Sequence, residues 1–344
     1  MGGGCRGRPL TAAHPPVRVV LTRAGAAESE HLVHGVVCGP EGDPIIRWGS
    51  PERVIFWRSS MKPFQALPSV RAGVFDALGL GTDALAIACS SHYGASRHVD
   101  TVRAVLAASG VDQHALACGP HRPFDEASAR AMDKAGRLPE SVHNNCSGKH
   151  AAMLALARRM RWDTGGYETY VHGVQDLVRK ELSHWLGTDA ELLHWGVDGC
   201  GTPTPALPIL EMGRAYARLA AAARGDDKHA AVVVSAMTAH PILIGGEAAL
   251  STGLVRATAG RLLGKEGAEG VFCAAFPSDE PSETWGAAFK VADGAMRAVG
   301  PAAIKALTDG GFLRSAEREA LARFASPPER NTVGTAVGAL YAED

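Results

Sequence analysis

Apolar and polar positions alternate in the first fifty residues, and the alternation breaks soon after. Val17–Arg23 and His31–Cys38 carry the period-two pattern of strands. "GPEGDP" at 39–44 is a turn, and Ile45–Trp48 pairs back, so the chain opens as an antiparallel meander. Val54, Ile55, Phe56 and Trp57 read as a strand end running into a helix over Met61–Ala72, with Pro63 in its first turn, where proline is tolerated. Asp83–Cys89 ("DALAIAC") is a buried, strand-like apolar segment. Helical spacing then predicts helices over Arg97–Ala108 and Glu126–Ala135. It predicts a long one entered from "HNNCSGKHAAM", capped by Asn145 or Ser147, and others over Val174–Leu186, Ile209–Arg224, His229–Ala239 and Leu254–Leu263. "DGCGTPTPALP" is a Gly/Pro-dense loop. Strands return at Val271–Phe276 and Trp285–Ala292, then helices over Gly294–Leu307 and Ser315–Phe324, and a last strand over Thr332–Leu340.

Strands at both ends with helices between predict an α/β fold. One antiparallel sheet is built from both chain ends and flanked by helices, with a helical middle lobe at roughly 60–260. Residues 1–16 are Gly/Pro-rich and predict a disordered tail; 17–344 reads as a single catalytic domain with two lobes and no internal repeat.

Composition narrows the function classes. The chain has 344 residues, 46% hydrophobic and 21% charged, with a net charge of −1, so neither nucleic acid nor an anionic membrane is an expected partner. Its start lacks an apolar signal segment, no run of eighteen apolar residues occurs, and its seven cysteines are dispersed. A cytoplasmic protein with reduced thiols is the expectation. Lysine is scarce against arginine, so a lysine in a motif-like setting stands out, because only lysine can lose its proton near neutral pH.

The candidate chemistry starts at "RSSMKPFQALP". Ser59 and Lys62 are three residues apart and share a helical face. A serine hydroxyl needs a base. At an ordinary pKa of about 10.4 only about one lysine in a thousand is neutral near pH 7.4, so the site must depress that value by burial or a second cation. The free N–H groups of the helix start can hold an oxyanion. Alone, the same residues read as a helix cap and a solvated lysine.

Further polar loops interrupt apolar segments. "CSSHYGAS" (89–96) offers hydroxyls at Ser90 and Ser91, or simply a helix cap. "NNCSGKHAAM" and "DGCGTPTP" bring Cys146, Lys149, His150, Asp198 and Cys200 into two rigid loops, with Gly148 allowing close backbone approach. Two cysteines, a histidine and an aspartate fit zinc chemistry, with a deprotonated Lys149 as an unusual alternative ligand; two unrelated buried thiols are the plain reading. Lys265 in "GKEGAEG" has the setting of a helix C-cap; Lys290 in "KVADG", before an Asp-Gly turn, resembles the strand lysine that faces the nucleophile in penicillin-recognising enzymes, or is simply an edge-strand lysine.

In order, "RSSMKPFQALP", "ACSSH", "NNCSGKHAAMLALA", "DGCGTPTPALPI", "MTAHP" and "KEGAEG" resemble the asparaginase II family, the rhizobial-type L-asparaginases, over about residues 17 to 340. The resemblance implies an amidohydrolase that converts L-asparagine and water to L-aspartate and ammonia, on a fold similar to serine β-lactamases and serine-dependent glutaminases. It implies two Ser–Lys pairs, Ser59 with Lys62 and Ser91 with Lys265, and a zinc site at Cys146, Lys149 and Cys200. Arg58, His92, Asp198 and His150 are then expected to contact substrate, and a homodimer is expected at the family level. Ala248-Ala249 stands where the family pattern has Gly-Arg, which bears on substrate range.

These residues suggest attack by Ser59, proton acceptance by neutral Lys62, and an aspartyl-enzyme cleaved by water. Zinc would position substrate or lock loops rather than activate water. Rival readings are a β-lactamase- or peptidase-like hydrolase and a zinc-stabilised amino-acid-binding protein without turnover.

Overall fold

The computed structural model describes residues 12–41, 44–277 and 283–343. Strands β1 (Ala12–His14), β2 (Val17–Arg23), β3 (Ala26–Cys38), β4 (Pro44–Trp48) and β5 (Val54–Phe56) come first. A 3-10 turn over Arg58–Met61 leads into α1 (Lys62–Arg71), α2 (Val74–Ala77), α3 (Thr82–Ala88), α4 (Ser96–Ser109), α5 (Glu126–Lys134), α6 (Ser147–Arg159) and α7 (Gly173–Leu186). Strands β6 (His194–Val197) and β7 (Pro203–Pro208) precede α8 (Ile209–Arg224), α9 (Lys228–Ala239), α10 (Pro241–Ile244) and α11 (Leu250–Ala257). The chain closes with β8 (Leu263–Gly267), β9 (Val271–Pro277), β10 (Thr284–Val291), α12 (Val299–Asp309), α13 (Ser315–Ala320), α14 (Ala322–Ala325), β11 (Pro328–Arg330) and β12 (Ala336–Ala342).

The described residues form two compact units. The first draws them from Met1–Ile55, Pro208–Arg218 and Ala268–Asp344. It is the expected antiparallel sheet, with strands from both ends of the chain in the order β11-β12-β2-β3-β10-β9. β4 pairs antiparallel with β3, and β1 pairs parallel with β4. Helix α12 packs on β2, β10 and β12. The start of α8 lies so close to β10 that a Cβ on Gly286 would sit 1.9 Å from the Gly213 carbonyl oxygen.

The second unit, Phe56–Leu207 with Leu219–Gly267, is the helical middle. Helix α6 is its axis: every residue from Ser147 to Ala157 is buried, and α1, α3 and α4 pack around it. Burial on all sides explains why its apolar pattern has no polar face. Gly148 is required there, because a Cβ would meet the Ile87 carbonyl oxygen at 2.1 Å. The rings of Trp57 and Phe64 meet tilted at 5.0 Å, and Phe64 meets Trp185 of α7 at 5.7 Å, which anchors the turn between Trp57 and Phe64 in the core.

Several local expectations are corrected. Asp83–Cys89 is not strand-like: Thr82–Ala88 is the two-turn helix α3, and a short apolar run has no periodicity to separate the two states. The helix expected over Leu254–Leu263 ends at Ala257, and the glycine-flanked Lys265 lies inside strand β8 rather than at a helix cap. "DGCGTPTPALP" is half of a hairpin: β7 pairs with β6, and the Asp198 N–H bonds the Thr202 carbonyl across the turn. The turn before α6 is held by Asn144, whose Oδ1 accepts from the Cys146 N–H at 2.8 Å, rather than by Asn145 or Ser147. Residues 1–11 of the expected tail, and 42–43 of the first turn, lie outside the described residues, while 12–14 form β1. Among the described residues no helix is long and apolar enough to cross a membrane.

Candidate active site

The turn that carries Ser59 starts with an uncommon backbone. Arg58 has φ +56°, the left-handed region that β-carbon sterics disfavour. Two anchors hold it there. Its N–H donates to Thr204 Oγ1 on β7 (3.1 Å), and its guanidinium donates to Asp198 Oδ1 (2.9 Å). Arg58 and Asp198, both expected to contact substrate, are thus ion-paired to each other. The turn that follows is 3-10, where positions i and i+3 eclipse, so Ser59 and Lys62 share one side of the element. Ser59 is half-buried, and Lys62 is fully buried.

Lys62 does not reach for Ser59. Its Nζ donates to the Ser90 carbonyl (2.6 Å), to Ser91 Oγ (3.0 Å) and to the Asn145 carbonyl (3.4 Å). Among the described residues no hydrogen bond joins it to Ser59 Oγ. From the other side Lys265 Nζ meets the same Ser91 Oγ at 2.8 Å and the Glu266 carbonyl at 2.7 Å. Two amines therefore flank one hydroxyl. Burial, and then the Lys62 charge, push Lys265 down to about 7. Like charges about 5 Å apart in an effective dielectric near 20 repel by roughly 3 kcal/mol, enough to help keep one amine neutral near pH 7. A hydroxyl has one proton to donate and can give it only to a neutral amine. Of the two amines, Lys265 carries the depressed value.

The cysteine loops converge beside this chain of contacts. Lys149 Nζ lies 3.0 Å from Cys200 Sγ and 2.6 Å from Thr202 Oγ1. The Cys146 thiol donates to Cys200, which lowers the Cys200 value strongly, and Lys149 adds to that; Cys146 is correspondingly raised. Burial lowers Lys149, but the Cys200 and Cys146 sulfurs outweigh it and the net direction is up. His150 Nδ1 bonds the Tyr167 hydroxyl at 2.6 Å, while its buried Nε2 has no hydrogen-bond partner among the described residues. Burial lowers His150, and Cys200 partly offsets that.

This donor set fits a zinc ion only if Lys149 is one of the ligands. Among the described residues no three His, Cys, Asp or Glu side chains lie close enough to bind a metal on their own. The Cys200 and Cys146 sulfurs hold Lys149 protonated, so it would serve as a ligand only after losing a proton.

Other expected residues fare differently. His92 is fully buried, with Nδ1 accepting from the Gly94 N–H and Nε2 paired with Ser147 Oγ, so neither ring nitrogen is open to substrate. Burial holds it well below its ordinary value. Lys290 lies on β10 in the sheet unit, where its Nζ bonds the Val291 carbonyl at 2.7 Å. Sequence reasoning missed a cleft of about 400 Å3 on the Ser91 loop, lined by Tyr93, Ser96, Arg97, His98, Asp125 and Glu247. Its only sequence signal is charge near two helix starts, Arg97 and Asp125, which is too common a feature to mark a site.

The model of the L-asparaginase II family matches residues 19–342, which contain all of these groups. The chain belongs to the L-asparaginase II family. No curated protein sequence matches the chain. Among solved structures, native Mglu is 13% identical with a TM-score of 0.37, over 82% of this chain and 64% of its own. Mglu in its native form in 4.3 M NaCl is 15% identical with a TM-score of 0.36, over 82% and 61%. The chain spans less than two thirds of either.

Amide hydrolysis in this family needs a nucleophile, a base that is neutral at working pH and donors for the oxyanion. The helical unit has each type of group: two half-buried hydroxyls at Ser59 and Ser91, a depressed lysine at Lys265, and the first N–H groups of a helical turn at Ser59.

Proposed function

We propose that this chain is an L-asparaginase that hydrolyses the side-chain amide of L-asparagine through an acyl-enzyme. The observation that carries this reading is the contact chain Lys62–Ser91–Lys265, one turn from Ser59, in a member of the L-asparaginase II family. Ser59 Oγ attacks the amide carbon. Lys62 gives a proton to Ser91 Oγ as Ser91 gives its own to neutral Lys265, and the Lys62 amine so freed, one turn from Ser59, takes the Ser59 proton. The developing oxyanion is held by the Ser59 N–H. Collapse of the tetrahedral intermediate breaks the C–N bond, and the same chain returns a proton so that ammonia leaves. Water then adds to the ester by the reverse use of these groups and releases L-aspartate.

Cys146, Cys200 and Lys149 would hold zinc, with His150 alongside. Bound there, zinc supplies a fixed positive charge that ties the α6 entry to the β6–β7 hairpin.

A second reading makes Ser91 the nucleophile. It is favoured by the base 2.8 Å from Ser91 Oγ and by the lack of a hydrogen bond from Ser59 to Lys62. One experiment tests both. Asparagine is turned over, the enzyme is quenched in acid, and the peptide carrying the aspartyl ester is identified by mass spectrometry. The ester is expected on Ser59; an ester on Ser91 selects the second reading. Absence of ammonia release from asparagine by the purified, folded protein sinks both.

A further inference from the structure

Glu266 follows Lys265 on β8, and successive strand side chains leave opposite faces. While Lys265 goes to Ser91, the Glu266 carboxylate goes to the start of α11. It accepts from Ser251 Oγ at 2.8 Å and from the Leu250 and Ser251 N–H groups at 3.3 Å each. Those N–H groups are orphans of the first helical turn, and the residue at the capping position, Ala249, has no oxygen to offer them. The cap therefore comes from a strand instead of from the helix's own chain, at the place where Ala248-Ala249 departs from the family pattern.

The same helix is tied back to Ser91. The Ser91 N–H donates to the Ile244 carbonyl (3.1 Å) and the Tyr93 N–H to the Gly245 carbonyl (2.8 Å), just ahead of α11. Thr252 Oγ1 donates to the Pro241 carbonyl at 2.8 Å and fixes α11 against α10. A closed ring results. It runs from Ser91 through 244–245 and α11 to Glu266, along β8 to Lys265, and across 2.8 Å to Ser91 again.

We propose that Glu266 is a positioning residue for the hydrolysis, and that its carboxylate, by capping α11 from β8, holds Lys265 Nζ against Ser91 Oγ. The inference rests on the amidohydrolase reading above. Four groups act on Lys265: Lys62 from α1, Glu266 on its own strand, Cys146 ahead of α6, and Cys89 after α3. Glu266 raises the proton affinity of Lys265, against burial and Lys62, so it also sets the pH at which the amine becomes neutral.

The test uses Glu266→Gln, Glu266→Ala and Ser251→Ala in the full chain. Glu266→Gln is expected to lower kcat about tenfold with KM nearly unchanged and to move the acid limb of kcat/KM to lower pH; Glu266→Ala lowers kcat by about a hundredfold. Ser251→Ala, which removes the shortest of the three bonds but keeps the charge, lowers kcat with the limb in place. A second readout needs no turnover: the 13C titration of the Lys265 side chain, assigned with Lys265→Arg, has a lower midpoint in Glu266→Gln. If that midpoint and kcat stay at their wild-type values in both Glu266 variants, the proposal is overturned. If the midpoint moves but the wild-type protein releases no ammonia, the positioning role stands and the amidohydrolase reading fails.

Discussion

Lys265 Nζ and Ser91 Oγ lie 2.8 Å apart, although 174 positions separate them in the chain. The contact gives a buried lysine a hydroxyl partner and gives that hydroxyl a base. Burial is the larger cause of the depressed Lys265 value and Lys62 the next. The rate of amide hydrolysis is therefore expected to follow deprotonation of a group near pH 7. Lys62→Met removes a neighbouring cation, which favours protonated Lys265, so the acid limb of the residual activity should move up by about one pH unit while the rate itself falls. The profile of kcat/KM against pH, measured by ammonia release, checks this; an acid limb that stays in place in Lys62→Met would remove Lys265 from the base role.

The two serines should separate in their kinetics. Ser59→Ala removes the proposed nucleophile and is expected to lower kcat by about 10⁴ or more. Ser91→Ala leaves both lysines without their shared hydroxyl and is expected to lower kcat by roughly 10² to 10⁴, the range of a lost proton-transfer group. Circular dichroism and a urea midpoint on each variant separate loss of chemistry from loss of fold. The opposite ranking of the two variants favours Ser91 as the nucleophile.

Gly148 makes a structural prediction inside the same unit. Its Cβ position lies 2.1 Å from the Ile87 carbonyl oxygen and 2.9 Å from the Ile87 side chain, so α6 and α3 are in close contact at this residue. Gly148→Ala forces the helices apart and is expected to cost about 1–3 kcal/mol in urea unfolding, as overpacking does, in spite of the better helix propensity of alanine. If the cysteine loops hold zinc, the variant should also weaken its retention, because Lys149 and His150 follow directly. Unchanged stability would mean that α3 and α6 are further apart than the structure has them.

The sheet was legible in the sequence because β2, β3, β9 and β10 keep their apolar runs and turn residues, and both ends of the chain carry them. Helices α4, α5, α7 and α8 were legible from their periodic spacing, and α6 as a long apolar run behind a polar loop. The errors gather at the site. Lys265 sits in "LGKEG", where glycines hide a strand, and only the pairing of distant segments brings its amine to Ser91. In β7, Pro203 and Pro205 read as loop; the strand survives because proline still accepts, as Pro205 does from the Trp57 N–H. Which lysine is neutral could not be read from S-x-x-K, since the answer depends on the second cation and on burial. Gly148, by contrast, was legible as a close-approach residue.

The cysteine loops predict a metal dependence. If Cys146, Cys200 and Lys149 hold zinc, elemental analysis of the purified protein should give about one zinc per chain, and Cys200→Ser should lose it. A chelator should lower the melting temperature of the wild type, since an ion that binds only the folded state stabilises it by mass action. The same chelator should leave Cys200→Ser unmoved. Wild-type protein with far less than one zinc per chain, and no response to added zinc, would leave the Lys149–Cys200 ion pair as the working form of the site.

Burial of Lys265 should also be visible in stability. In the unfolded chain its pKa is that of an ordinary lysine, 10.5, and in the folded protein it is about 7. Between those values the unfolded state binds the extra proton, so stability rises with pH across this window and its contribution is lost as pH falls toward 7. Below 7 both states are protonated and the penalty is constant, a few kcal/mol by the size of the difference. Lys265→Met fills a similar volume without a charge. It should abolish ammonia release, raise the urea midpoint at pH 6, and flatten the pH dependence of stability between 7 and 10. Urea titrations of the two proteins at pH 6, 8 and 10 decide it. A variant no more stable than the wild type at pH 6 would mean that the protonated amine is well solvated in the folded state, and the depressed lysine would lose its physical basis.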